Sequence, residues 1–216
     1  MKKQMVLLGI VFMLTGCASG VPKTEFIQQS SQLAEGSFFK QEYTDPTADF
    51  RKYTSIKIEP VTLAYLENRE KHKPAELSEV TRSFLRYLEE ALSSEGFRVL
   101  PATAPSDVST LIISPALITL GAPQRTLNVI SSALIWTPVT SGSASFAAKL
   151  KDGESGAVLG EIAEKNTGGS GNMKSLVAGS YTKYTHAEAA FENWGQHLAR
   201  MLKAKGVLCR TEAAAL

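Results

Sequence analysis

The sequence predicts an α+β fold, an antiparallel-rich sheet with two main helices packed on one face, preceded by a spacer. Three observations carry that expectation. Short alternating stretches such as YTSIKIEPV have the period of half-buried strands. Two longer segments repeat their apolar residues at helical spacing. The order strand, helix, strand, strand, hairpin, helix lets both helices cover the same side of one sheet.

The first element is not part of that domain. Lys2 and Lys3 precede an apolar stretch from Met5 to Leu14. As a helix it spans roughly 15 Å, about half of a ~30 Å hydrocarbon core, so it has the layout of an export signal rather than of a membrane span. It runs directly into Leu14-Thr15-Gly16-Cys17, which resembles the lipobox of bacterial lipoproteins. The residue types suit that chemistry: the Cys17 sulfur accepts a diacylglyceryl group, and the small Gly16 gives a peptidase access to the bond before Cys17. The freed amine can take a further acyl chain, and two or more chains anchor stably where one does not. The competing reading is a plain secretory signal with Cys17 kept for a disulfide to Cys209. If Cys17 carries lipid, Cys209 is buried, free or paired with another protein. Ala18, in place of an aspartate after the cysteine, implies by the same resemblance an outer-membrane location on the periplasmic face.

The domain boundaries follow. Residues 1–16 are read as the signal, 17–49 as the lipid-anchored N-terminus and spacer, 50–206 as a single domain and 207–216 as a tail. Within the spacer, Phe38, Phe39 and Tyr43 suggest that its second half docks on the domain. Hydrophobic residues at 44% and charged residues at 20% are ordinary for a folded domain. The formal net charge of +2 gives no field that would favour nucleic acid, and Lys2 and Lys3 leave with the signal.

Along the domain, Ile56 and Ile58 alternate inward against Lys57 and Glu59, and Pro60 ends the pairing because it has no N–H. Pro74 opens the first helix, where a missing N–H costs nothing. Leu77, Val80, Phe84, Leu88 and Ala91 or Leu92 share one face, and Gly96 is placed for a left-handed cap. FRVL returns as a short strand before Pro101. DVSTLIISPALITL reads as a strand bent or bulged at Pro115. SASFAAKL and AVLGEIAEK flank the turn residues KDGESG as a hairpin, with Ala144, Phe146, Ala148 and Leu150 on one face. In the last helix, Thr185-His186-Ala187-Glu188 has the form of a capping box. Ala187, Phe191, Trp194, Leu198 and Met201 form its apolar stripe, and Gly206 closes it.

The stretches YTSIKIEPV, TLNVISSAL, GSASFAAKLKDGESGAVLGE and AFENWGQHLARML resemble a bacterial lipoprotein family of unknown function, domain-of-unknown-function family 3313. The resemblance runs over roughly Phe50 to Leu202. In that pattern the hairpin turn has an Asp followed by Thr-Gly-Glu, whereas Asp152-Gly153-Glu154-Ser155-Gly156-Ala157 keeps Asp and Gly and loses the Glu. The family brings no known catalytic residues, so the resemblance implies none here.

Motifs of chemistry are sparse. His186 and His197 lie roughly 16 Å apart along one helix, too far to share a metal, and His72 sits in a charged loop. GGSGNMKS places Met173 where a phosphate-binding loop needs glycine. No nucleophile elbow is present, and pairs such as Glu89/Glu90 and Glu67/Glu70 read as solvated surface. No cofactor, metal or nucleic-acid site is therefore expected. One apolar segment, RTLNVISSALIWTPV, has neither strand nor helix period. It reads either as a cover over the core or as a partner surface formed by Leu127, Ile130, Leu134 and Trp136. The expected function is a non-enzymatic binding or assembly module of the envelope. Its partners would be the membrane, through lipid on Cys17, and another envelope protein or cell-wall component. The alternative is an envelope hydrolase or carbohydrate-modifying enzyme using surface carboxylates.

Overall fold

The computed structural model describes residues 25–67, 69–121, 144–166 and 185–209. Its strands are β1 (Gln41–Thr44), β2 (Ser55–Ile58), β3 (Val99–Leu100), β4 (Thr110–Leu120), β5 (Ala144–Asp152) and β6 (Val158–Asn166). Two helices accompany them, α1 (Pro74–Ser94) and α2 (Thr185–Ala204). The strands form one sheet in the order β1-β6-β5-β4-β2-β3.

The fold is α+β as expected, and its sheet is mixed. Pairings β1–β6, β6–β5 and β5–β4 are antiparallel, whereas β2 runs parallel to both β3 and β4. The parallel β2–β3 pair has a direct cause. Parallel neighbours need a crossover, and α1 supplies it between them.

Both helices lie on one side of the sheet. Leu77, Val80, Phe84, Leu88 and Leu92 of α1 are buried, as are Ala187, Phe191, Trp194, Leu198 and Met201 of α2. They meet Ile56 and Ile58 of β2, Leu111, Ile113 and Leu117 of β4, and Phe146, Ala148 and Leu150 of β5 in one core. At its centre Phe84 lies 4.6 Å from Phe191 and 5.7 Å from Phe146, whose ring is 4.4 Å from Trp194. Gly96 (φ 90°) and Gly206 (φ 85°) end the two helices in the left-handed conformation that a Cβ disfavours. At the start of α1, Glu76 reaches back to accept from the Lys73 N–H.

β4 departs from expectation in one place. The irregularity falls at Ile118, between the Leu117–Phe146 and Thr119–Ser145 pairs, and Pro115 stays in register with Ala148. The proline is tolerated because residues 113, 115 and 117 turn their backbone polar groups toward the β2 side. There β2 ends at Ile58, and the Ile113 and Pro115 carbonyls accept from Glu59 and Thr62 N–H groups. The bulge changes which side chains face the helices. Before it Leu111, Ile113 and Leu117 face them, and after it Leu120 does.

The segment read as a spacer contributes to both sides of the sheet. Gln41–Thr44 is edge strand β1, Phe39 is 2% exposed in the helix-side core, and Phe26 and Ile27 are buried on the opposite side.

Candidate functional site: the second face of the sheet

Odd positions on β5 and even positions on the first part of β4 point away from the helices, and this second face has two halves. In the apolar half, Ala116, Ile118, Ala147 and Ala163 offer a strip of small side chains on which Phe26 and Ile27 lie, with Leu33 against them. The chain there runs through turns and a bend outside any helix or strand, so its N–H groups need partners. Glu161, wholly buried, supplies them: one carboxylate oxygen accepts from Gln28 N–H at 2.9 Å and the other from Gln29 N–H at 2.7 Å. Two further carboxylates do the same on the helix side of the sheet, Glu42 in register with Ile162 and Glu164 with Phe146. Glu42 accepts from the Phe38 and Phe39 N–H groups, and Glu164 from that of Lys40.

The other half is polar. The Ser114 hydroxyl donates to Glu59, whose carboxylate also receives Lys151 Nζ at 2.9 Å. Burial pushes the Glu59 carboxyl up, but the Ser114 hydroxyl and the Lys151 ammonium outweigh it and hold the group below its ordinary value. An attacking serine needs a neighbour ready to take its proton. Glu59, held ionised by a lysine, is a weak base, so this cluster is arranged for order rather than for activating Ser114.

A third polar group sits at the hairpin turn. Asp152 is 5% exposed, and one of its oxygens accepts from Lys52 Nζ and the Tyr53 hydroxyl, both at 2.7 Å. The other accepts from the Ser155 N–H and hydroxyl, both at 2.8 Å. The Lys52 ammonium and then the Ser155 N–H hold the Asp152 carboxyl far below its usual range. Burial, reinforced by the Asp152 charge, pushes the Tyr53 hydroxyl up to about 12, so it stays a donor. His197, on α2, is edge-on to Phe39, and burial with the Arg200 charge pulls its imidazole below the ordinary value.

Cys17 and the proposed partner residues Leu127, Ile130, Leu134 and Trp136 lie outside the described residues, as does the GGSGNMKS segment. Cys209 is a buried thiol against Gly96, its Sγ 3.5 Å from the Glu95 carbonyl. Among the described residues, no three His, Cys, Asp or Glu side chains are grouped to hold a metal, and no helix is long and apolar enough to cross a membrane. The sequence reading missed Glu161 and the Asp152–Tyr53 pair. A signal for the first was present: an acid set inside the apolar run VLGEIA. Asp152 was legible as a turn residue, but its partners Lys52 and Tyr53 stand far earlier in the chain.

A family model described as protein of unknown function (DUF3313) matches residues 22–198. Comparison with curated proteins gives no match. Among solved structures, the chain is similar to the PelC dodecamer from Paraburkholderia phytofirmans. That match has 12% identity and a TM-score of 0.41, and covers 72% of this chain and 96% of that one. A leucine-to-methionine variant of the same dodecamer gives 11% identity and a TM-score of 0.40, over 73% and 95%. A homologue of neuraminyllactose-binding hemagglutinin from Helicobacter pylori gives 9% identity and a TM-score of 0.32, over 80% and 95%. At these values the likenesses say nothing of role.

Proposed function

The chain belongs to the DUF3313 family of proteins of unknown function, and on that premise we propose a lipid-anchored envelope protein whose domain is a non-enzymatic binding or assembly module at the periplasmic face of the outer membrane. The observation that carries this reading is Leu14-Thr15-Gly16-Cys17 behind a positive start and an apolar run too short to span a bilayer. The polar clusters of the sheet support the second half of the reading. Among the described residues, Glu161, Asp152 and the Glu59–Ser114–Lys151 group are each engaged in holding the fold. The partner surface proposed is the apolar segment with Leu127, Ile130, Leu134 and Trp136, since interface aromatics often dominate binding.

Metabolic labelling with an acyl-chain analogue tests the anchor. Wild type should label and fractionate with membranes, and Cys17→Ser should do neither; equal labelling of the two refutes it. Trp136→Ser tests the module: capture of envelope components should fall with the thermal midpoint unchanged. A lowered midpoint would instead place Trp136 in the core.

A further inference from the structure

We propose that the domain stands on its bilayer by the rim around Phe26 and Tyr65, with the two helices turned away from the membrane. The proposal rests on the Cys17 anchor put forward above and adds an orientation to it.

The first argument is the length of the tether. Phe26 and Ile27 are buried and the next two N–H groups are bound by Glu161, so the chain is pinned to the second face of the sheet from Phe26 onward. Only eight residues separate Phe26 from Cys17. Eight residues and the links at their ends reach at most about 30 Å. Turning the helices to the membrane would put a sheet-and-helix thickness, on the order of 20 Å, between Phe26 and the headgroups. That would use about two-thirds of the reach. With the second face toward the membrane that thickness no longer stands between them.

The second argument is what surrounds the exit point. Tyr65, 38% exposed, stands edge-on to Phe26 at 5.4 Å, and Lys149 Nζ lies 4.8 Å above the Phe26 ring. The loop that carries Tyr65 is tied to the same place, because Glu67 N–H donates to the Ile118 carbonyl. That stretch continues with exposed Arg69, Lys71 and Lys73 against exposed Glu67 and Glu70, a balance that stays positive. Aromatic rings beside long basic side chains are the composition that settles at a headgroup layer, rings at the interface and ammonium groups among the phosphates. The helix side has the opposite balance: α1 carries four glutamates against two arginines, and in α2 Glu188 and Glu192 offset Arg200 and Lys203. Facing an anionic leaflet, that surface would be repelled.

The test uses the mature acylated chain in vesicles of phosphatidylethanolamine and phosphatidylglycerol. A Cys209→Ala background keeps labelling confined to the new site. A fluorophore is attached at Ala64→Cys, beside Tyr65, or, separately, at Glu192→Cys on the exposed side of α2, and quenched by lipids carrying a nitroxide on the headgroup. Both positions are exposed, and the Tyr65–Phe26 contact is left in place. Quenching at residue 64 should exceed that at residue 192 several-fold. Equal quenching, or stronger quenching at 192, overturns the orientation and leaves the anchor standing. An acylated chain that fails to float with vesicles overturns the anchor and the orientation together.

Discussion

The two faces of the sheet are held by different physics. On the helix side, Phe39, Phe84, Phe146, Phe191 and Trp194 pack ring against ring, and the side chains around them are almost wholly excluded from water. On the second side the contact is thin: Phe26 and Ile27 rest mostly on alanines, and Glu161 holds the next two N–H groups. Large apolar burial is cooperative with the whole domain, whereas hydrogen bonds that water can replace are local. The helix side should therefore set global stability, and the second side should open first.

The strongest challenge to that comparison is Trp194→Ala. Truncating this buried ring should cost about 3–5 kcal/mol in denaturant melts. A silent substitution would mean that the aromatic cluster is not the source of stability. Next is Asp152→Ala, which leaves the Tyr53 hydroxyl and Ser155 N–H without their acceptor at a cost of about 1–3 kcal/mol. The same residue predicts a pH dependence. Its folded-state carboxyl lies below the ordinary 3.8, so its stabilisation is complete above that value and is lost as pH falls toward the lower folded one. Acid melts of Asp152→Asn should accordingly show a flatter decline than wild type below pH 3.8; parallel curves would remove Asp152 from the acid response. Smallest in global effect is Glu161→Gln. Stability should drop by less than about 1 kcal/mol, because the released N–H groups regain water. Hydrogen exchange at Gln28 and Gln29 should nonetheless speed clearly. A large global loss with no local change would show the two faces to be one cooperative unit.

Much of the helix side was legible beforehand. The stripes Leu77 to Leu92 and Ala187 to Met201 announce their buried faces by period, and both closing glycines fall where the helices stop. The hairpin of Ala144 to Asn166 was legible from its turn residues and alternation. The β4 bulge was expected at Pro115 because a proline in a strand removes a donor. Pro115 instead stays in register with Ala148, because β2 has ended at Ile58 and the Thr62 N–H beyond it calls on the Pro115 carbonyl rather than on the missing donor; the irregularity falls at Ile118. Of the second face little could be read. Residues 26–44 have no sustained period, and only Phe38, Phe39 and Tyr43 hinted that they dock.

By itself the sequence determined the elements and their buried stripes, because periodicity and turn chemistry act over a few residues along the chain. It also supplied the lipobox pattern, which is read as a contiguous string. The tertiary structure decided the parallel placing of β2 between β3 and β4, the wrap of residues 26–44 around the β1 edge, and the pairing of Asp152 with Tyr53 and Glu161 with Gln28 and Gln29. These contacts join residues about a hundred or more apart in the chain. A carboxylate's choice among distant donors leaves no periodic mark in the chain, so it is fixed only when packing brings one of them within reach.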